Sequence, residues 1–403
     1  MHRVAVVASH PIQYQAPWFR QLAEVTDLTV FFCHRQSAHD QARAGFGESF
    51  DWDVPLLDGY RYEFLENVSP TPGVDQFAGC DTPGLRHRLA AGRFDACIVN
   101  GWYLKSYLQA MRSARGLGMA VLVRGDSQLR EARSALTSAL KYFPYRWMLA
   151  QIDAHLFVGQ ANREYLEHYG VRTDSLFFAP HFVDNDRFGL GADRARESGE
   201  AAALRESWGA HPRAVIFGFA GKLVSGKRAG DFLAAIARLA KQDAGVRGVI
   251  VGAGPEADRL RERVDADKLP VVFTGFVNQS ALPACYAAMD CLVVPSASES
   301  WGLVVNEAMA SGRPVIVSDR VGCAADLVIE GETGFSYPMG DVAALTDRML
   351  TLRRTIRERA VELAGALSAR IGQYTCERAV AGTLEALDAT AARVAVGAGR
   401  RHA

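Results

Sequence analysis

The chain has 403 residues, enough for two or three domains, and its 45 Lys and Arg residues balance its 45 Asp and Glu residues. This balance gives no net field of the kind that binds nucleic acid, and no apolar run is long enough to span a bilayer. The N-terminus enters an apolar strand without a signal-peptide pattern, and the seven cysteines show neither metal spacing nor a disulfide framework. These features predict a cytoplasmic protein with reduced thiols.

Short apolar strands alternate with amphipathic helical stretches along the chain. The first half has such strands at residues 4–8, 28–32, 96–99, 120–123 and 154–158. The second half has them at residues 215–219, 248–251, 271–274, 291–294 and 315–317. This alternation predicts an α/β fold in which helices cover parallel sheets.

We therefore expect two Rossmann-like, doubly wound parallel-sheet domains facing a cleft, with ligands outside the carboxyl ends of the strands. The N-terminal domain is predicted over residues 1–188 and the C-terminal domain over 213–375. Residues 189–212 are rich in Gly, Ala and charge, which predicts a linker. Residues 376–403 are predicted to form a helix that packs back on the N-terminal domain and a frayed tail.

Polar and aromatic side chains that follow the predicted strands of the first half could face a ligand. They are His10, Tyr14, Trp102, Arg124, Asp126 and His181. Arg124 and Asp126 are equally consistent with a salt-bridged loop, and a lone histidine is more often structural than catalytic. The stretch 130–147 mixes basic and aromatic residues, which is typical of an ordinary amphipathic helix or of peripheral contact with anionic lipid.

The second half carries a basic turn, a Gly-containing turn and a turn at the end of a predicted strand. Lys222 and Lys227 flank a Ser-Gly turn before an amphipathic helix, where two ammonium groups suit a diphosphate or form an exposed basic turn. Gly254 lies in "VIVGAGPEADRL", which lacks the third Gly of a dinucleotide fingerprint and is a weak nicotinamide site. The backbone at Phe276 and Val277 could read a nucleotide base or simply connect a strand to a helix.

Two acids lie near the turn that joins a buried strand to the next helix. Glu299 precedes a turn at Gly302, and Glu307 follows eight positions after Glu299. Free backbone N–H groups and the helix dipole would hold an anion there, with the acids on neutral hydroxyls attached to it. A sugar nucleotide fits this pattern, although Glu is common in first helical turns for the dipole alone.

The motifs of the second half occur in an unbroken order between residues 215 and 337. They are G-K-L-x-x-x-K, V-G-x-G-P, F-x-G-x-V, P-S-x-x-E-x-x-G-x-x-x-x-E-A-M-A-x-G-x-P-V-I and G-E-T-G-F. This order resembles the donor half of a retaining glycosyltransferase of family 4, with the GT-B fold. The first half resembles the family more loosely, since it lacks the Gly-rich turn after the first strand and has Arg124 to Ser127 where many members have a His.

The resemblance implies a role for each matching residue of the second half. It implies that Lys222 and Lys227 bind the donor diphosphate and that Glu299 meets the transferred sugar, so that these three are the catalytic candidates. Glu307 would hold the ribose hydroxyls. The implied donor-binding set is Gly221, Gly254, Phe276, Val277, Trp301, Gly302, Leu303 and Glu307. Lys222 replaces the Arg that many members carry, which keeps the charge and loses the bidentate fork.

The resemblance implies an enzyme that moves a sugar from a nucleoside-diphosphate sugar to an acceptor hydroxyl and retains the anomeric configuration. Acceptors would be sugars or lipid-linked molecules of cell-surface polysaccharide, glycolipid or glycoconjugate synthesis, with no cofactor, no metal and no nucleic acid. The N-terminal domain would be the acceptor side and would allow peripheral membrane contact. A sugar-nucleotide epimerase on the same fold and a non-catalytic sugar-binding protein are alternatives, whereas a nicotinamide dehydrogenase has weaker support.

Overall fold

A computed structural model describes residues 1–129, 135–243 and 245–399. The described chain forms two compact units, each with its own sheet. Unit 1 comprises residues 1–36 and 55–181 and the chain from residue 376, and unit 2 comprises residues 37–54 and 182–375. Arg130 and Arg133 of the predicted basic and aromatic stretch lie outside the described residues, as do the last four residues of the predicted tail.

The strands are short and all of their pairings are parallel. Those of unit 1 are β1 (Arg3–Ala8), β2 (Asp27–Phe32), β3 (Arg61–Phe64), β4 (Ala96–Val99), β5 (Ala120–Gly125), β6 (Ala154–Phe157) and β7 (Leu176–Phe178). Those of unit 2 are β8 (Val215–Ala220), β9 (Val246–Val251), β10 (Val271–Gly275), β11 (Cys291–Val294), β12 (Val315–Ser318) and β13 (Gly334–Tyr337). Two parallel-sheet α/β units confirm the predicted fold class.

Sixteen α-helices of the described chain surround these sheets. They are α1 (Ala16–Val25), α2 (Ala38–Gln41), α3 (Leu85–Gly92), α4 (Lys105–Gly116), α5 (Ala135–Leu149), α6 (Gln160–His168), α7 (Asn185–Glu197), α8 (Glu200–Ser207), α9 (Ala229–Ala240), α10 (Ala257–Ala266), α11 (Leu282–Ala288), α12 (Leu303–Ala310), α13 (Ala324–Leu327), α14 (Val342–Glu358), α15 (Ala360–Ile371) and α16 (Cys376–Gly399). None of the helices within the described residues is both long and apolar enough to cross a bilayer.

The strand order places a topological switch in each sheet. The order is β3-β2-β1-β4-β5-β6-β7 in unit 1 and β10-β9-β8-β11-β12-β13 in unit 2. Strands β4 and β11 beside the switch points are buried along their whole length, as expected for parallel strands covered on both faces. Ligands of such sheets bind where the strand order reverses, so the loops after β1, β4, β8 and β11 are the candidate positions.

The segment predicted as a linker, residues 189–212, instead contains the end of α7 and all of α8 and belongs to unit 2. Its small residues let α7 pack closely, since a Cβ added at Gly191 would lie only 2.8 Å from Pro283 Cβ. Arg205 of α8 donates to the Ala214 carbonyl at 2.7 Å and pairs with Asp290 at 3.0 Å. The Gly and Ala content therefore reflects close packing, and the predicted boundary at residue 188 lies inside α7.

One further segment departs from the predicted division. Residues 37–54 lie between strands of unit 1 in sequence but belong to unit 2, so the range 1–188 is not one structural unit. The C-terminal helix α16 belongs to unit 1 and approaches β7 so closely that a Cβ at Gly382 would lie 1.9 Å from the Phe178 carbonyl oxygen. It continues to Gly399.

Candidate active site

The loops that follow β8 and β11 are held together at the switch point of unit 2. The Ala297 N–H donates to the Gly226 carbonyl at 2.8 Å, which brings the 3₁₀ turn Ser225–Lys227 beside the β11 loop. The Lys227 ammonium then donates to Glu299 Oε1, and the Ser296 hydroxyl donates to the same oxygen at 2.8 Å. The structure thus joins two residues that sequence reasoning selected, and it adds Ser296.

The backbone around Glu299 is fixed by the turn before α12. The Glu299 N–H donates to the Arg320 carbonyl at 3.2 Å, and its carbonyl accepts from Gly322 N–H at 3.1 Å. Gly302 has a left-handed φ of 103°, and a Cβ there would lie 2.9 Å from Val321 Cγ1. Helix α12 starts directly after it at Leu303, where the first N–H groups have no acceptor within the helix. Partial positive charge therefore lies close to the Lys227–Glu299 pair.

The loops after β8 and β9 pack backbone against backbone. The Leu223 N–H donates to the Ala253 carbonyl at 2.8 Å. Gly254 has φ +151°, and a Cβ there would lie 2.7 Å from the Leu223 nitrogen, so this contact requires glycine. Gly221, with φ +145°, has open space where a Cβ would point. Lys222 lies between these glycine turns, and burial, followed by the charge of Lys227, lowers the pKa of its ammonium.

Glu307 is buried on α12 and has partners different from those of Glu299. Glu307 is only 8 % exposed, and its Oε2 accepts a hydrogen bond from the Tyr286 hydroxyl at 2.7 Å. Burial raises the pKa of Glu307 to about 7, whereas the Tyr286 hydrogen bond and Arg187 act in the opposite direction. A carboxyl held this way can exchange a proton near neutral pH.

Trp301 lies in the core of unit 2. Trp301 is 3 % exposed, and its indole N–H donates to Asn306 Oδ1 at 2.8 Å. Its ring centroid is 5.9 Å from that of Tyr374. The indole therefore stabilises the start of α12, which leaves the backbone as the part of Trp301 that can face a ligand.

Phe276 and Val277 directly follow β10 and are half-buried. The Phe276 ring lies in an aromatic cluster with Phe46 and Phe50, which come from residues 37–54 of the same unit. Sequence reasoning missed these partners. The sequence signal that could have indicated them is an aromatic-rich stretch inside a long connection between two strands.

A separate cavity of about 270 Å³ lies at the switch point of unit 1. Its lining includes Tyr14 after β1, Trp102 after β4, Arg124 and Asp126 at the end of β5, and His181. The Trp102 ring stacks on Tyr165 at 6.0 Å, and a Cβ at Gly125 would lie 3.2 Å from this indole. His10 lies beside the cavity, with Nδ1 3.0 Å from the hydroxyl of Ser9, which also lines it.

Arg124 and His181 are buried in this cavity, whereas the Asp126 side chain is 45 % exposed. Arg124 Nη2 donates to the Pro180 carbonyl at 2.8 Å and lies 3.5 Å from His181 Nδ1, while His181 Nε2 is 3.7 Å from Asp126. Burial lowers the pKa of Arg124 to about 10 and raises the pKa of Tyr14 to about 12. Burial also lowers the pKa of His181, although Asp126 opposes this. Arg124 is thus bonded to a carbonyl as well as influenced by Asp126, and it keeps its charge at neutral pH.

The two parallel-sheet units define a protein of the GT-B fold. The Anabaena protein HepE, solved in complex with UDP and glucose, matches the chain with a TM-score of 0.65. The match covers 96 % of this chain and 100 % of that one, at 16 % identity, a level that shows the fold alone.

Residues 214–355 match the family described as glycosyl transferases group 1. It is 35 % identical to the 2-deoxystreptamine N-acetyl-D-glucosaminyltransferase of Streptomyces fradiae over 45 % of this chain and 44 % of the relative. It is also 35 % identical to a GDP-mannose-dependent alpha-mannosyltransferase of Corynebacterium glutamicum over 44 % of this chain and 38 % of the relative. The matched region thus spans less than half the length of these relatives.

Proposed function

We propose that the chain is a retaining glycosyltransferase that moves a sugar from a nucleoside-diphosphate sugar to an acceptor hydroxyl. The observation that carries this proposal is the contact between Lys227 and Glu299 beside the N-terminus of α12, at the switch point of the sheet of unit 2. The domain match supports glycosyl transfer, and the names of two similar proteins, one solved with UDP and one described as GDP-mannose-dependent, support a nucleotide-sugar donor. Retention is inferred from the resemblance to a retaining family.

In the proposed reaction the bond between the sugar's anomeric carbon and the diphosphate oxygen breaks, and negative charge grows on the diphosphate. Lys227, Lys222 and the first N–H groups of α12 stabilise that charge. The acceptor oxygen attacks on the face that the diphosphate leaves, and its proton passes to an oxygen of the leaving diphosphate. Because attack and departure share one face, the anomeric configuration is retained. Glu299 binds hydroxyls of the transferred sugar, and Glu307 binds those of the ribose.

The cavity of unit 1 is proposed to bind the acceptor. It offers a buried cation at Arg124, a carboxylate at Asp126 and an aromatic face at Trp102, which together suit a hydroxyl-rich ligand. His10 and His181 would contribute imidazole nitrogens that accept or donate a hydrogen bond. An acceptor of cell-surface polysaccharide, glycolipid or glycoconjugate synthesis is inferred from the family resemblance alone.

Peripheral contact with anionic lipid is proposed through one face of α5. Leu140, Phe143 and Trp147 are 70 %, 75 % and 71 % exposed, and their spacing places them on one side of the helix. Lys141 and Arg146 lie on the same helix and supply positive charge for anionic headgroups. A basic helix with exposed apolar side chains suits the surface of a membrane rather than its interior.

The decisive experiment incubates the purified protein with each common nucleoside-diphosphate sugar and a set of sugar and lipid-linked acceptors. Mass spectrometry of the products and NMR of the new glycosidic bond then report transfer and anomeric configuration. A transferase makes a larger product only when acceptor is present, whereas an epimerase alters the donor alone and a binding protein leaves it unchanged. Inversion of configuration would contradict the retaining mechanism.

A further inference from the structure

Residues 37–54, called here the strap, belong to unit 2 although strands of unit 1 flank them in sequence. The strap contains α2, a π-helical turn (Ala42–Phe46) and a non-helical stretch that runs to Val54. Its non-helical stretch carries the aromatic residues Phe50 and Trp52, and Phe46 ends the π-helical turn. The strap is therefore an aromatic segment contributed to the unit that carries the candidate donor site.

Hydrogen bonds tie the strap to the loop between β10 and α11. Asn278 Nδ2 donates to the Asp51 carbonyl at 2.8 Å. The Ser280 N–H donates to the Asp53 carboxylate at 3.1 Å, and the Ser280 hydroxyl donates to the same carboxylate. These anchors directly follow Val277, whose backbone is the candidate reader of a nucleotide base. The strap is thus built into this loop at two separate points.

Aromatic contacts fill the space next to these anchors. The Phe50 ring stacks on Phe276, with centroids 4.1 Å apart and an interplanar angle of 29°. Trp52 meets Phe50 edge to face at 4.8 Å, and Phe46 meets Phe276 edge to face at 5.8 Å. The loop that follows β10 therefore has an aromatic wall along one side.

The other end of the strap reaches the diphosphate side of the site. Gly45 has φ +99°, and a Cβ there would lie 3.4 Å from Lys222 Cδ. Gly47 has φ +74°, and a Cβ there would lie 3.5 Å from Gly254 Cα. Between them, Phe46 places its ring centroid 4.4 Å from the Lys222 ammonium. The strap accordingly runs from a cation proposed to bind phosphate to the loop proposed to read the base.

We propose that the strap forms one wall of the nucleoside part of the donor site, and that the Phe50 ring sets the affinity for the base. A nucleobase is a flat π-system, and aromatic side chains bind it by stacking whatever its identity. The hydrogen bonds of Asp51 and Asp53 hold the wall in place, so the ring is prepared before the donor arrives. This inference rests on the proposed function, since it presumes a nucleotide donor.

Calorimetric titration with nucleoside diphosphates and with inorganic pyrophosphate tests the proposal, because only the former carry a base. The variant Phe50→Leu keeps an apolar side chain of similar volume and lacks the π-face. We expect its affinity for the nucleoside diphosphate that the wild type binds best to fall about tenfold, as base stacking allows. Its affinity for pyrophosphate should stay within about twofold of the wild type, since Lys222 and Lys227 are unchanged.

Phe77→Leu is the matched control, since Phe77 is an exposed aromatic residue of unit 1. Thermal unfolding of both variants shows whether the fold is kept. Should Phe50→Leu unfold early, Trp52→Leu is titrated in the same way. We then expect its affinity for the nucleoside diphosphate to fall at least threefold, with pyrophosphate affinity unchanged. Unchanged nucleotide affinity, tighter nucleotide binding or an equal loss of pyrophosphate binding overturns the proposal.

The two proposals fail in different ways in this experiment. A wild-type protein that binds neither nucleoside diphosphates nor pyrophosphate contradicts the proposed function and the role of the strap together. Normal wild-type binding with no effect of Phe50→Leu contradicts the role of the strap alone. A loss confined to ligands that carry a base supports both.

Discussion

The Lys227 ammonium contacts the Glu299 carboxylate although the two residues are 72 positions apart in the chain. The Ser296 hydroxyl binds the same carboxylate oxygen, so the cation and the acid are positioned before any ligand arrives. A phosphate group that approaches Lys227 must share its ammonium with Glu299. The two side chains should therefore act as a unit in donor binding and in transfer.

We predict that Lys227→Ala and Glu299→Ala each lower kcat at least about a hundredfold, because each removes charge or a sugar contact at the reacting bond. The double variant should lose little more than the worse single variant, since residues that act as a unit are not additive. Initial rates of transfer measure this. Lys241→Ala is the control, because Lys241 is an exposed lysine that follows α9. Full activity in either single variant would remove that residue from the mechanism.

The carboxyl of Glu307 predicts a pH dependence of stability. Its pKa of about 7 in the folded protein exceeds the ordinary value of 4.5, so folding favours the protonated form. Its contribution is fully present below about pH 4.5 and is lost as the pH rises through about 7. Urea unfolding of the wild type should therefore show a free energy of unfolding that decreases by roughly 3 kcal/mol across this range relative to Glu307→Gln.

A second variant separates burial from hydrogen bonding at Glu307. The Tyr286 hydroxyl favours the ionised carboxyl, so Tyr286→Phe should raise the pKa of Glu307 further. The loss of stability would still begin near pH 4.5, which the unfolded state sets, but would continue to a higher pH than in the wild type. Identical pH profiles for the wild type and Glu307→Gln would show that Glu307 titrates normally, contrary to this prediction.

The sequence was sufficient to predict where the candidate donor-site residues lie relative to the strands. Lys222 and Lys227 follow β8, and Glu299 follows β11, because apolar runs and turn residues mark those strand ends locally. The strands β3 and β13 were missed because polar residues interrupt their apolar runs, and β7 was missed because it has only three residues. Local patterns therefore locate the strands with continuous apolar runs, such as β4 and β11, and the loops at their ends.

Features that depend on contacts distant in sequence were not predictable in this way. The strap contacts residues more than two hundred positions away, with Asp51 and Asn278 separated by 227. The helix α7 was mistaken for a linker because its glycines resemble loop residues until Pro283 is seen packed against Gly191. Trp301 looks like a ligand contact in the motif, but its indole N–H is directed to Asn306 in the core. Side-chain direction and tertiary packing decide these cases.

The cavity of unit 1 predicts a selective effect on the acceptor. Arg124→Lys keeps the charge and loses the planar fork that donates to Pro180 and faces His181. We expect the KM for the acceptor to rise about tenfold, whereas nucleoside-diphosphate affinity stays within about twofold, because the cavity and the Lys227–Glu299 pair lie in different units. Steady-state kinetics measure the acceptor KM, and calorimetry measures the nucleoside-diphosphate affinity. Arg163→Lys on α6 is the control, and an unchanged acceptor KM would contradict the assignment.

The exposed face of α5 predicts binding to anionic membranes. Apolar side chains exposed to 70 % or more gain free energy when they leave water, and the nearby basic residues add attraction to anionic headgroups. We expect the wild type to sediment with vesicles that contain phosphatidylglycerol and to be released by high salt, since exposed charges are screened.

The double variant Phe143→Ser/Trp147→Ser should reduce the bound fraction at least about fivefold. Leu190→Ser removes a side chain of similar exposure from α7 of unit 2 and should bind as the wild type does. Equal binding of all three proteins would show that α5 is an ordinary surface helix, because its apolar face would then make no contribution to the membrane contact.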